Sequence, residues 1–192
     1  MSRFGGHFVQ GHVDATGYIE ELRAKWNHHP HLEIAKLDMT AGVDFEQLRR
    51  FAPESVVFLN VLEHIEDDAA ALRELHRKLV PGGRLLVYVP AFQVLYTSMD
   101  RKVGHLRRYT RATLIAAVTA AGFAVEHSRY ADSLGFFATL VFKLFGNARG
   151  TLDRHGIRLY DRRVFPLSRA LDALVSPLFG KNVLLVAVKP TT

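Results

Sequence analysis

Residues 59–92 read LNVLEHIEDDAAALRELHRKLVPGGRLLVYVPAF, and this stretch decides the fold. Its centre is a helix. Glu66, Asp67 and Asp68 supply an N-cap and negative charge where the orphan amides and the dipole favour both. Leu72, Leu75 and Leu79 repeat on one face, and Arg77 and Lys78 fall in the last turn. Pro81-Gly82-Gly83 then stops the helix and turns the chain. A strand stands on either side. Residues 55–59 (SVVFL) are continuously apolar, as expected of a strand covered on both faces, and residues 84–89 (RLLVYV) form the second, closed by Pro90. Strand, helix and strand in this order are the unit of an α/β protein with a parallel sheet.

The same alternation extends outward. Residues 7–13 read as a strand ending at Asp14, residues 18–26 as a helix with Ile19, Leu22 and Trp26 on one face, and residues 31–37 as a strand ending at Asp38. Residues 45–51 form a short helix stopped by Pro53. On the other side, residues 91–108 read as a long polar loop, and residues 110–121 as a helix with Gly122 as its stop. Residues 123–129 and 182–188 (NVLLVAV) are the last two strands. The insertion between them, residues 131–181, opens with an apolar segment at 134–146, broken by Thr139 and Lys143. It continues with basic residues and with Leu171, Leu174 and Leu178 at helical spacing. With no internal repeat and no low-complexity linker, the expectation is a single domain over 1–192 carrying a helical insertion.

The absence of cysteine among the 192 residues excludes a disulfide framework, a thiolate metal site and a cysteine nucleophile. The first residues lack the apolar core of a secretory signal, and no apolar run reaches the roughly 18 residues that span a bilayer. A cytoplasmic protein is expected. Residues 1–100 hold 10 Lys and Arg against 14 Asp and Glu, whereas residues 101–192 hold 15 against 5. The basic half can attract an anionic partner or simply keep the surface solvated. Its arginines are dispersed without interleaved aromatic residues, so no nucleic-acid partner is expected.

In open parallel sheets ligands bind beyond the carboxyl ends of the strands. Asp14, Asp38 and Asn60 each follow a strand and would open onto one edge. A carboxylate at the first suits a ribose diol, and one at the second an adenine amino group. Each acid alone reads equally well as a strand or turn terminator. A nicotinamide dehydrogenase would use Asp14 in the same way, but its glycine fingerprint is absent.

The segment 59–92, the Asp-ending strands, AGFAV at 121–125 and the terminal NVLLVAVKP together resemble the class I S-adenosylmethionine-dependent methyltransferases. The loop DRKVGHLRRYT at 100–110 resembles a signature of a bacterial subgroup of them. The resemblance implies a Rossmann-like methyltransferase sheet, mostly parallel with an antiparallel last strand, and S-adenosylmethionine as cofactor. It implies that Asp14 holds the ribose hydroxyls, that Asp38 meets the adenine amino group with Met39 against the ring, and that Asn60 lies near the methionine end. The family's glycine-rich loop is missing: only Gly5, Gly6 and Gly11 stand upstream of Asp14. The expected chain therefore begins at the family's second strand and lacks the first, which in the sheet order 3-2-1-4-5-7-6 would lie between strands two and four. Strand two must then pair directly with strand four, borrow a strand, or leave an edge unpaired. A start assigned too late and a truncated gene both account for this, and the intact strand-end residues favour the former.

Methyl transfer needs a base where the acceptor must lose a proton, and His105 in the loop after the strand at 84–89 is the first candidate, His64 the second. His105 reads equally well as a surface histidine. Arg107 and Arg108 suit an acceptor carboxylate or phosphate, or else an ion pair with Asp100, and Tyr109 a donor or the apolar entry to a helix. In some quinone-type O-methyltransferases a Glu-x-x-Glu-His pattern is associated with a metal. Asn60 replaces the first Glu here, so no metal is assigned. The expected activity is methyl transfer to a small-molecule or saccharide- or lipid-linked acceptor. The alternative is a non-catalytic remnant that binds through its basic half. Phe136, Phe137, Leu140, Val141, Leu144 and Phe145 make an apolar surface that serves either as a lid or as a peripheral membrane contact through 134–146, with Lys143, Arg149, Arg154 and Arg158 near the headgroups. A homo-oligomer is compatible with these features.

Overall fold

The computed structural model describes residues 7–10, 52–145, 162, 165–175 and 178–191. The expected elements at 18–26, 31–37 and 45–51 lie outside these residues, as do Asp14, Asp38, Met39, Arg149, Arg154 and Arg158.

Strands β1 (His7–Gln10), β2 (Ser55–Leu59), β3 (Arg84–Pro90), β4 (Ala124–Ala131) and β5 (Asn182–Val188) form one sheet in the order β1-β2-β3-β5-β4. The pairs β1–β2 and β2–β3 are parallel, while β5 runs antiparallel between β3 and β4. The last strand is thus the antiparallel one, as expected. The strand at residue 7 pairs directly with β2, His7 opposite Val56 and Gln10 opposite Leu59. Among the described residues no other strand separates them.

Helix α1 (Asp68–Lys78) joins β2 to β3. Asp67 is its N-cap and accepts from the Ala70 amide at 2.8 Å. Leu72 and Leu75 are fully buried and Leu79 nearly so. They pack in one core cluster with Leu114 and Val118 of helix α3 (Arg111–Ala120) and with Val56, Phe58, Leu85, Val87, Leu185 and Ala187 of the sheet. In register, Phe58 faces Val87 and Val87 faces Leu185, which makes one continuous apolar layer. The alternate residues Val57, Leu86 and Leu184 are only half-buried. The β2 strand therefore alternates between two environments, a correction to the uniform cover that its sequence suggests.

Residues 91–108, expected to be a polar loop, hold a 3-10 turn at Gln93–Leu95 and a short helix α2 (Ser98–Lys102). Leu95, Thr97 and Asp100 there are buried. The insertion between β4 and β5 is helical, as expected, with α4 (Ser133–Phe145) and α5 (Phe165–Val175). Its second helix leaves Leu167 and Leu174 exposed and Leu171 half-buried, and Leu178, beyond its end, is exposed as well. Ser168 and Asp172, one turn apart, face inward instead. They are needed there because α4 starts on buried amides. Asp172 accepts from the Asp132 and Ser133 amides at 2.7 and 2.8 Å, and the Ser168 hydroxyl accepts from the Leu134 amide at 3.1 Å. Among the described residues no helix is long and apolar enough to cross a membrane.

Candidate functional site

The site hangs from the carboxyl ends of β2 and β3. Beyond β2, Asn60 adopts φ 52° and gives its amide to the Tyr88 carbonyl at 2.9 Å, which turns the chain out of the sheet. The Asn60 side chain is exposed. Leu62–His64 then makes one 3-10 turn, anchored by buried Leu62 and Ile65. This turn carries Glu63, fully buried, and His64, half-buried.

The second wall is the segment after β3. Thr97 and Asp100 form a capping box at the start of α2: the Thr97 hydroxyl accepts from the Met99 amide, and Asp100 accepts from the Thr97 amide at 2.8 Å. Asp100 Oδ1 also accepts from His105 Nδ1 at 2.8 Å and Arg108 Nε at 2.9 Å, while Oδ2 takes Arg108 Nη2 at 3.0 Å and the Thr97 hydroxyl at 3.0 Å. Burial opposes ionisation of this carboxyl, but the donors from His105, Arg108 and Thr97 outweigh it and hold it well below the usual carboxylate range. Gly104, at φ 79°, ends α2 in the left-handed conformation that a glycine adopts without strain, and so delivers His105.

The two walls are joined by hydrogen bonds. The Leu106 amide donates to the Glu63 carbonyl at 2.9 Å, and His64 Nδ1 meets the Gly104 carbonyl at 3.1 Å. A carbonyl can only accept, so His64 Nδ1 carries the proton, and the ionised Asp100 imposes the same on His105 Nδ1. The rings of His64 and His105 meet edge to face at 4.8 Å. Glu63 Oε1 lies 3.7 Å from His105 Nε2, and neither carboxyl oxygen has a hydrogen-bond partner. Burial pushes the Glu63 carboxyl up to about 7, against its own backbone amide and the neighbouring His105 and Arg108, which favour the charged form.

The rest of the loop is tied down as well. Arg108 spends Nε and Nη2 on Asp100 and Nη1 on the Ala91 carbonyl at 3.1 Å, so its side chain holds Asp100 rather than facing solvent. Arg107 pairs with Asp68 at 3.0 Å and donates to the Glu66 carbonyl at 2.7 Å. Tyr109 is buried and donates to Asp68 at 2.6 Å; burial, then this carboxylate, push its hydroxyl well above the ordinary phenol range. Of the sequence-derived candidates the structure brings together His64, His105 and Arg108, and it sets Asn60 three residues before Glu63. Sequence reasoning names Asp100 as the alternative ion-pair partner of Arg107 and Arg108, but it does not foresee Glu63 beside His105 or Asp68 as the partner of Arg107 and Tyr109. For Asp100 a signal existed, the Thr97-x-x-Asp100 spacing of a capping box.

Over the loop lies α4. Phe92 stacks on Tyr130 at 4.8 Å and meets Phe136 edge to face at 5.6 Å, and Lys143 donates to the Val94 carbonyl at 2.6 Å. The opposite side of α4 presents Phe137, Val141 and Leu144, each half or more exposed.

The family model of the methyltransferase domain matches residues 13–128. Among solved structures, the chain is similar to one from the complex of the Haloferax volcanii Trm112 methyltransferase activator, with TM-score 0.56 and 17% identity over 97% of this chain and 73% of that one. An S-adenosylmethionine dependent methyltransferase from Mesorhizobium loti matches with TM-score 0.55 and 16% identity, over 94% and 80% of the two chains. The N-methyltransferase NodS from Bradyrhizobium japonicum, in complex with S-adenosyl-L-homocysteine, matches with TM-score 0.51 and 14% identity, over 95% and 66%. Among curated proteins no sequence matches. At these identities the likeness is one of fold, and it is the Rossmann-like α/β sheet of these enzymes.

Proposed function

Since the chain belongs to the methyltransferase-domain family, we propose that it transfers a methyl group from S-adenosylmethionine to a small-molecule or saccharide- or lipid-linked acceptor. The observation that carries this reading is the cluster of Glu63, His64 and His105 at the carboxyl ends of β2 and β3, the edge where ligands bind in open parallel sheets.

The donor supplies an electrophilic methyl group: its bond to sulfur breaks as the bond to the acceptor oxygen or nitrogen forms, and sulfur keeps the electron pair. The chain's own part is to align the partners and take the acceptor's proton. His105, turned by Asp100 so that Nε2 carries the lone pair, is placed to accept that proton, and His64 stands beside it. Arg108 acts as a positioning residue through Asp100. Asn60 would meet the methionine end of the cofactor, while Asp14 would take the ribose, and Asp38 and Met39 the adenine. A cytoplasmic, single-domain enzyme over 1–192 fits this reading.

Calorimetric titration of S-adenosylhomocysteine into the chain, with circular dichroism on the same sample, tests it. Saturable heat near one site per chain is expected. No heat from a folded sample would leave the non-catalytic remnant, binding through its basic half, as the better account.

The exposed face of Phe137, Val141 and Leu144 favours a second reading for the insertion, peripheral contact with a membrane that presents a lipid-linked acceptor. Sedimentation with anionic vesicles should pull the chain down, and less so after V141S/L144S. A chain left in the supernatant would reduce α4 to a cover over the loop.

A further inference from the structure

The reading above gives tasks to His105 and His64 and none to Glu63. Yet Glu63 is fully buried with both carboxylate oxygens unpartnered, which is costly in the charged form unless a cation compensates it. His105 Nε2, at 3.7 Å, is too far for a hydrogen bond. The two imidazoles beside it share one arrangement: each gives Nδ1 to an oxygen, Asp100 for His105 and the Gly104 carbonyl for His64. A second nitrogen anchored on a carboxylate or a carbonyl is how metal-ligating histidines are held, with the lone pair kept on the other nitrogen.

We propose that Glu63, His64 and His105 hold a divalent transition-metal ion of the zinc class. One ligand atom from each residue already lies within 4.8 Å of the others. Bonds of about 2.0–2.1 Å place tetrahedral ligand atoms about 3.3–3.4 Å apart, so the pair at 3.7 Å is nearly in place and side-chain rotation closes the rest. Two imidazoles with one carboxylate suit zinc and its neighbours, whereas magnesium and calcium take oxygen ligands. Three protein ligands leave a fourth position for water or for the acceptor.

The inference rests on the methyltransferase reading for its meaning. With the ion bound, both imidazoles act through it, and an acceptor hydroxyl at the fourth position loses its proton to solvent more readily. The binding itself does not depend on that reading.

The test is titration of zinc(II), and of cobalt(II) followed by visible absorption, into the full chain after dialysis against a chelator. Wild type, E63Q, H64A and H105A are compared, each checked for folding by circular dichroism. One site per chain is expected, indifferent to excess magnesium and weakened by more than about 100-fold in every folded variant. The chain has 10 histidines, so adventitious uptake is the competing account. Uptake equal in wild type and in any folded variant overturns the proposal, as does a wild type that takes up no ion. S-adenosylhomocysteine titrated into the same samples separates the two readings. Ion uptake without cofactor heat sinks the methyltransferase reading alone, and cofactor heat without ion uptake sinks this one alone.

Discussion

Replacing Asp100 by alanine is expected to lower the stability of the chain by about 3–5 kcal/mol, the cost of breaking a buried ion pair from one side. The side chains of Asp100 and Arg108 are 2% and 6% exposed, so the variant leaves a guanidinium in the interior with, among the described residues, the Ala91 carbonyl alone to accept from it. The same change removes the capping box of α2 and the acceptor that holds His105 Nδ1. Losing the cap alone costs about 1 kcal/mol, so the orphaned charge is the dominant loss. That dominance can be measured with a double-mutant cycle by urea denaturation. If the charge dominates, D100A/R108A should be more stable than the sum of the single variants allows. If D100A falls within about 1 kcal/mol of wild type, the carboxylate is not the keystone that its contacts indicate.

The same residue shows where sequence reading stops. The stretch 59–92 was legible because each of its signals is local. Asp67 caps a helix one turn away, Leu72 and Leu75 share a face by spacing, and Pro81-Gly82-Gly83 turns the chain where it stands. The order of residues 91–108 has another origin. His64 meets Gly104 across 40 residues, Tyr109 meets Asp68 across 41, and Arg108 reaches back 17 to Ala91. No periodicity encodes such pairs. A polar segment that satisfies itself inside the fold therefore reads like a solvated loop. The resemblance picked out His105 and Arg108, yet an ion pair with Asp100 and a hold on an acceptor looked alike in sequence, and it is geometry that gives Arg108 to Asp100. Glu63 stands beside Asn60 in the Glu-x-x-Glu-His comparison, but its burial could not be read there. Between Leu62 and His64 it looks like a surface acid, and only packing shows it fully buried. The acids expected to bind the cofactor, Asp14 and Asp38, lie outside the described residues.

The insertion carries a comparable device, and Asp172→Ala should release it. Helix α4 begins at Ser133, directly after Asp132 at φ 61°, and the amides of both residues are directed at the Asp172 carboxylate. Both residues are buried, at 5% and 0% exposure, so water cannot replace the lost acceptor without opening the packing. Each orphaned amide costs about 1–3 kcal/mol, which sets the expected local destabilisation at about 2–6 kcal/mol. The loss should be felt in the insertion first, since the β2–β3–β5 core shares none of these bonds. In hydrogen exchange, the amides of α4 should therefore lose protection while those of β3 and β5 keep theirs. D172N retains one acceptor oxygen and should fall between. Because Phe136 and Lys143 carry α4 onto Phe92 and Val94, the loop that positions His105 should loosen in the same experiment. Protection of α4 left unchanged in D172A would mean that its aromatic packing, with Phe136 and Phe137 set against Phe179, holds the helix without its cap. In that case the two buried amides must find another acceptor, and Ser168, already bonded to the Leu134 amide and to Asp132, belongs to the same network.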